Sequence, residues 1–424
     1  MFGLHLKNYK SFEDQQFDFS KINILIGTNS SGKSALLKFF LMLKQTTNVR
    51  YGNRLILSDN NIDLGSFEDV VTDNDENRNI DVEFVLNINK PQIISQSAWL
   101  DLPNGIVKLK YKFDKDLYIK NIQISHDSLG QIEIIATELI EEQTRFFSES
   151  QKYKIIYEHN GEKEEYVDVL CKPQGVALFL ENNNNIPEKI RDFLLYTLPF
   201  SIFIQHLEYF NPFFSKPERN YSTKNYSNAD SIRDLDNAIQ VLNAGRSQFK
   251  QDLTNALFDL GIAEDFKIEK AENIKVLELK IKPIGDTKFR NITDVGFGTS
   301  LQIPLLLQVI SNNRLVEGAT ILLEQPEIHI HPKLQAKLME VLVKYGKKNT
   351  YFIETHSTHF IESLQVLVKK GLLKKEDVTI HYFTKEDNRT KVSIHKIEDD
   401  GFLDVSLPQD FFDVSYQLVS ELLA

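Results

Sequence analysis

The chain has 424 residues, 42% of them hydrophobic, which is ample for a large core and allows two or three domains. Its formal charge of −11, from 60 acidic and 49 basic residues, argues against a surface coated with basic groups for nucleic acid but not against a local basic groove. No apolar run is long enough to span a bilayer, Met1–Leu6 alternates where a signal peptide would be apolar, and the single cysteine, Cys171, cannot form an internal disulfide. These features predict a cytoplasmic protein with Cys171 as a buried small apolar residue.

Residues 1–26 read as two strands and a turn, with Phe17–Phe19 an extended edge and Ile22–Ile26 a buried strand ending at glycine. Lys33 to about Lys44 has helical spacing of Leu36, Leu37, Phe39, Phe40, Leu41 and Leu43. Residues 80–170 are strand-rich. Val107–Phe113 alternates cleanly, and Leu117–Ile124 and Tyr153–Tyr157 read similarly, as in an antiparallel sheet with one wet face. Asn183–Asn185 signals a loop. Residues 186–262 read as helical apart from a polar loop near Ser215–Asp230, and Ile268–Ile281 returns to strand. From 290 to about 395, helices alternate with apolar strands such as Ala319–Leu323 and Thr350–Ile353, which predicts a parallel α/β layer. Two basic clusters, Lys344, Lys347, Lys348, Lys369, Lys370, Lys374 and Lys375, and the alternating Lys108, Lys110 and Lys112, read as solvated faces; phosphate-backbone contact is the alternative.

Gly27-Thr28-Asn29-Ser30-Ser31-Gly32-Lys33-Ser34 fits G-x-x-x-x-G-K-[ST] between a predicted strand and a predicted helix. Glycines let the backbone curl so that N–H groups point at phosphate oxygens, and the following helix aims its positive end at the same anion. Lys33 supplies a charge for the β/γ-phosphates, and the Ser34 hydroxyl is a hard oxygen ligand for Mg²⁺. Such a loop needs an acid at the end of a neighbouring strand. Glu324 supplies it, at the end of Thr320–Leu323 and before Gln325-Pro326-Glu327. Ser34 and Glu324 are too far apart for a compact Ras-like or RecA-like core, which predicts a large arm between the motifs. Asp294–Gln302, with Gly296, Gly298, Thr299 and Ser300, places small residues before a helix, another anion-binding arrangement. Tyr351–Ser357 is a further strand ending at His356, placed to sense a γ-phosphate. Together the four pieces form one nucleotide site for ATP and Mg²⁺.

Leu6–Phe12 followed by the phosphate loop resembles the head of RecF and SMC proteins. Glu324–Pro332, Glu354–Ser357, Gly65–Asp69 and Asp294–Gly298 resemble ATPases of the AAA family related to the overcoming-lysogenization-defect (OLD) proteins, and Gly401–Asp413 resembles a small C-terminal domain carried by one branch. The resemblance implies an ABC/SMC-type P-loop head, an α/β fold of mixed sheet and flanking helices with a strand- and helix-containing insertion. The segments expected are 1–80 and 286–370 for the two halves of the head, 81–185 for its strand-rich part, 186–285 for a helical arm, and 371–424 for a small C-terminal subdomain. It further implies a head-to-tail homodimer with two ATPs at the interface, Gly27–Ser34 as Walker A, Glu324 as Walker B acid, Gly296–Ser300 as signature and His356 as switch histidine.

Three departures stand out. Gln325 replaces the catalytic glutamate of ABC enzymes and can position a water but not act as a general base, a task that would pass to Glu327 unless hydrolysis is slow. Gly296 replaces the signature serine, so Thr299 or Ser300 would supply the hydroxyl. Phe214 stands where relatives of the Tyr209–Phe214 segment often carry arginine. His329 and His331 fit a dimer-facing loop better than a metal pair, and Glu398–Gly401 reads as a turn, not a nuclease centre. OLD proteins add a TOPRIM nuclease, for which too few residues follow Ser357. The expected function is therefore an ATP-dependent switch in antiviral or genome surveillance that controls a separate nuclease or toxin. The alternatives are a RecF-like DNA-repair ATPase and a non-hydrolysing nucleotide-held scaffold.

Overall fold

The computed structural model describes residues 2–47, 54–59, 62–88, 92–95, 98–100, 102–137, 151–174, 177–180, 186–211, 216–223, 232, 234–244, 247–270, 275–315 and 318–407. Asn183–Asn185, Phe214, residues 224–230 of the expected polar loop and residues 408–413 of the expected C-terminal motif lie outside the described residues.

In chain order the elements are β1 (Phe2–Tyr9), β2 (Phe12–Phe19), β3 (Ile22–Gly27), α1 (Lys33–Thr46), α2 (Phe67–Val70), β4 (Ile80–Ile88), β5 (Gln92–Ser95), β6 (Ala98–Leu100), β7 (Gly105–Phe113), β8 (Asn121–His126), β9 (Gly130–Ala136), β10 (Gln151–His159), β11 (Glu162–Gln174) and β12 (Ala177–Leu180). Next come α3 (Glu188–Leu195), α4 (Thr197–Gln205), β13 (Leu207–Phe210), β14 (Tyr221–Ser222), α5 (Leu235–Asn243), α6 (Ser247–Leu260), β15 (Ala263–Lys270), β16 (Val276–Pro283) and β17 (Arg290–Asn291). The chain then continues through α7 (Phe297–Asn312), β18 (Thr320–Glu324), α8 (Pro332–Tyr345), β19 (Thr350–Glu354), α9 (Thr358–Lys369), β20 (Val378–Glu386) and β21 (Arg389–His395). Two compact units share these elements. One holds residues 1–20, 27–207 and 382–393; the other holds 21–26, 208–381 and 394–424.

The first unit is built on a nine-stranded sheet in the order β12-β11-β10-β9-β8-β7-β4-β1-β2, with every pairing antiparallel. Alternation sets its two faces. Val107, Leu109, Tyr111 and Phe113 of β7 are buried, whereas Ile106, Lys108, Lys110 and Lys112 are exposed. Lys110 stands opposite Glu83 and Lys112 opposite Asp81 in the β4 register, so the lysines do not form a bare cationic stripe. On the buried face Phe84 meets Phe200 of α4 at 4.0 Å between ring centroids and Phe39 of α1 at 6.4 Å. Two expectations are corrected here. The first 26 residues hold three strands up to Ile26, because Phe12, Phe17 and Phe19 bury one side of an otherwise charged β2. Leu117 does not begin a strand; it ends a turn with φ +64°, its N–H bonded to the Asp114 carbonyl, and β8 starts at Asn121. Cys171 is buried, as expected.

A six-stranded sheet follows the order β13-β18-β19-β3-β20-β21. β18, β19 and β3 are parallel neighbours and almost wholly buried, the pattern of strands covered on both faces. In the second unit α7 is buried nearly along its length, and its polar groups are used internally: Gln308 donates to Asn312 Oδ1 (2.6 Å). Asn349 ties the sheet to this helix, donating to the Val309 carbonyl (3.0 Å) and accepting from the Ala319 N–H (3.2 Å). The stretch expected to be helical from 186 to 262 also contains β13, which joins the sheet beside β18. Lys344 and Lys375 of the late basic cluster are paired, with Asp259 and with Glu398 and Asp399. Among the described residues no helix is long and apolar enough to cross a membrane.

Phe84→Ala should cost about 3–5 kcal/mol of stability by emptying the centre of the aromatic cluster. Lys110→Ala on the wet face should stay within about 0.5 kcal/mol of wild type. Denaturant unfolding of the two variants checks the pair.

Candidate functional site

The phosphate loop belongs to the first unit. Buried β3 delivers the chain to Gly27, whose φ of +139° and surroundings both demand glycine, since a Cβ there would lie 2.0 Å from the Phe383 carbonyl oxygen. Ser30 (φ +59°) and Gly32 (φ +105°) complete the curl, and α1 starts at Lys33. No side chain caps this helix and no acid lies in its first turn, so its N-terminal N–H groups keep their affinity for an anion. The Lys33 ammonium is buried in the loop, donating to the carbonyls of Gly27 (3.0 Å) and Thr28 (2.7 Å), while Ser31 Oγ donates to the same Thr28 carbonyl (2.7 Å). These groups fit a polyphosphate: backbone donors, one compact cation and, at Ser34, a hydroxyl suited to a hard cation.

Within the second unit the acids gather at strand ends. Glu324 is level with Glu354 across β18 and β19, and Glu354 is level with Leu25 of β3. Two residues after Leu25 the chain reaches Gly27. Glu324 and Glu354 therefore sit at the same edge of three parallel strands from which the phosphate loop departs, the position where such sheets bind ligands. Tyr209 of β13 puts its hydroxyl against Glu324. Burial first, then the charge and hydrogen bond of Glu324, push the phenol well above its ordinary range, while Asn211 donates to the same hydroxyl (3.3 Å). Sequence reasoning missed Tyr209 and Glu354. The Tyr209 segment was notable there only for Phe214.

Gln325 takes a left-handed conformation (φ +44°), and its N–H donates to the Glu354 carbonyl at 2.7 Å. The chain thus turns sharply at the residue that replaces the usual glutamate. Glu327 is buried, and one carboxylate oxygen accepts the His356 N–H at 2.8 Å. Burial raises its pKa, against the smaller opposing pull of the His356 and Ser357 N–H groups and the Thr355 hydroxyl. Glu327 therefore anchors the backbone at His356. Ser357 Oγ donates to Gln335 (2.7 Å), whose amide returns to the Ile330 carbonyl (3.2 Å).

The glycine-rich stretch packs against this loop. A Cβ on Gly298 would lie 2.3 Å from the His329 carbonyl oxygen, whereas Gly296 has open space. Phe297 meets His329 edge-on at 5.1 Å. Ser300 is buried and its hydroxyl donates to the Phe297 carbonyl (2.6 Å), which leaves Thr299, half-buried, as the hydroxyl at the helix entrance. His331 caps α8, its Nδ1 accepting from the Lys333 N–H (3.3 Å). Among the described residues no group of three or more His, Cys, Asp or Glu side chains could hold a metal ion. Glu398–Gly401 forms a turn, closed by the Gly401 N–H on the Glu398 carbonyl (2.9 Å).

A model of the AAA ATPase domain matches residues 1–361, and the chain belongs to that family. No curated protein matches the sequence. Solved structures similar to it include an SMC head bound to the C-winged-helix domain of ScpA, with 12% identity, a TM-score of 0.48, and 93% of this chain and 97% of that chain covered. The SMC head domain from Thermotoga maritima has 11% identity and a TM-score of 0.40, covering 92% and 97%. An Smc head with an extended coiled coil, bound to the C-terminal domain of ScpA and derived from Pyrococcus furiosus, has 11% identity and a TM-score of 0.47, covering 100% of each.

Gly298→Ala should destabilise the chain by about 1–3 kcal/mol, because the methyl meets a backbone carbonyl that cannot swing aside, while Gly296→Ala should be nearly neutral. Thermal melts of the two separate them. A second expectation concerns pH. Folding disfavours the charged form of Glu327, so its penalty on stability grows as pH rises above the ordinary carboxylate range. Glu327→Gln should therefore gain on wild type between pH 4 and pH 8. Urea unfolding at the two pH values would refute this if the gap did not widen.

Proposed function

We propose that this chain is an ATP-driven switch that binds ATP and Mg²⁺ at Gly27–Ser34. Glu324 is the acid that, with Ser34, would hold the metal, and His356 is the γ-phosphate sensor. The observation that carries this reading is the shared register of Glu324, Glu354 and Leu25 at the strand edge that launches the phosphate loop. Bound Mg²⁺ would supply charge neutralisation at the phosphates. The chain's own contribution is to orient: loop N–H groups and Lys33 hold the phosphates, and Gln325 aligns a water that it cannot deprotonate.

The likeness of Glu324–Pro332 and Glu354–Ser357 to OLD-related ATPases supports two further parts of the proposal. Two copies close on ATP, each offering Gly296–Ser300 to the other's nucleotide, and the closed dimer controls a separate effector, a nuclease or toxin, in antiviral or genome surveillance. In this proposal Gly401–Asp413 belongs to the branch's small C-terminal domain, whereas residues 382–393 belong to the first unit. One observation favours a second reading, a nucleotide-held scaffold: Gln325 supplies no base.

ATP turnover by wild type, Lys33→Ala and Gln325→Glu at matched concentrations tests the reading. Wild type should hydrolyse slowly, Lys33→Ala should not, and Gln325→Glu should accelerate the reaction about 100-fold, the lower end of general-base catalysis. Turnover that survives Lys33→Ala would refute the assignment of the loop. ATP binding without turnover in wild type, rescued by Gln325→Glu, would establish the scaffold.

A further inference from the structure

The β20–β21 hairpin lies beyond the stretch matched by the family model, yet its residues 382–393 belong to the first unit with the phosphate loop. Its two-residue turn, Asp387-Asn388, has φ of +47° and +62°, the doubly left-handed geometry that matches strand twist. The hairpin touches the loop at three points. The Phe383 carbonyl occupies the space a Gly27 side chain would need, Thr390 Oγ1 lies 2.7 Å from where a Gly32 Cβ would be, and the same Oγ1 donates to the Ser31 carbonyl at 2.7 Å.

We propose that Thr390 is a positioning residue for the phosphate loop, setting its affinity for ATP by fixing the Ser31–Gly32 peptide. The proposal rests on the reading of Gly27–Ser34 as the ATP site. The Ser31 C=O and the Gly32 N–H belong to one planar trans peptide and point in opposite directions. A donor that holds the carbonyl outward therefore aims the N–H into the loop, where a phosphate oxygen would accept it. Thr390 is 3% exposed, so water does not readily replace it as that donor.

Thr390 is itself held. A hydroxyl has one proton, and Thr390 gives its proton to Ser31, so the 2.6 Å contact with Ser11 Oγ must be donated by Ser11. The Thr390 N–H donates to the Ser11 carbonyl (2.8 Å). Next to it, Arg389 makes a two-pronged contact with Asp73 (2.7 and 2.6 Å) and reaches Glu13 (3.4 Å). The arginine holds the Asp73 carboxyl below its ordinary range. The hairpin is thus pinned on the side away from the loop, so its hydroxyl is a fixed donor.

Titration with ATP, beside melting curves taken without nucleotide, tests this on the full chain as wild type, Lys33→Ala, Thr390→Val, Thr390→Ser and Arg389→Gln. Thr390→Val keeps the shape and removes the donor. It should weaken ATP binding about ten-fold and, because the Ser31 carbonyl and the Ser11 hydroxyl both lose a buried partner, lower the nucleotide-free melting point modestly. Thr390→Ser keeps the donor and should bind as wild type does, which a purely packing role for Thr390 would not allow. Wild-type affinity in Thr390→Val, or equal loss in Thr390→Ser, would overturn the proposal. Should Thr390→Val not fold, Arg389→Gln decides: it should weaken binding about two- to three-fold, and unchanged affinity would overturn the proposal. If wild type and Lys33→Ala bind ATP equally, the ATP reading fails first and takes the inference with it.

Discussion

The pairing of β19 with its two parallel neighbours fixes everything that the site requires of the second unit. One strand sets the level of Glu324 on one side and of Leu25 on the other. A slip of one residue would turn Glu324 to the opposite face of its sheet and bury a polar group among the leucines of β18. Asn23 in β3, whose buried amide donates to the Tyr351 carbonyl of β19 at 3.1 Å, makes such a slip costly, and the Gln325 N–H bond to the Glu354 carbonyl closes the register at its end.

The loop after β18 uses side chains mainly to hold backbone. Glu327 holds the His356 N–H, Gln335 holds Ser357 and the Ile330 carbonyl, and Gln302 donates to the Pro326 carbonyl (3.2 Å). Glu327, which chemistry alone would nominate as a base, also serves as a brace. Its buried carboxylate is tied to the segment after β19 that carries His356. Gly298 adds a contact of another kind, since the absence of a side chain lets α7 approach the His329 carbonyl.

Much of this was legible in the sequence because local rules dictate it. Gly27 and Gly32 had to be glycine for conformational reasons, and both adopt positive φ. The apolar run ending at Glu324 is a buried strand with its acid at the tip, and the alternation of Val107–Phe113 is a half-wet strand. Less legible was whatever depends on which strands become neighbours. β4 sits between β1 and β7, and β13 sits beside β18, pairings that no periodicity announces. Tyr209 reaches Glu324 only through such a pairing, and Thr390 reaches Ser31 only because a late hairpin returns to the first unit. Leu117 misled because alternation continues through a turn whose left-handed residue carries a branched side chain.

The return of residues 382–393 to the first unit also orders events during synthesis. The donor and acceptor of the Thr390–Ser31 bond are 359 residues apart. At ribosomal speeds of about 5–20 residues per second, roughly 20 to 70 s separate the appearance of the loop from that of its brace. Through that interval the nascent chain carries a phosphate loop whose Ser31 carbonyl has not met its donor. The loop reaches its final form as one of the last acts of folding, so a truncated or stalled chain would leave its signature motif incomplete.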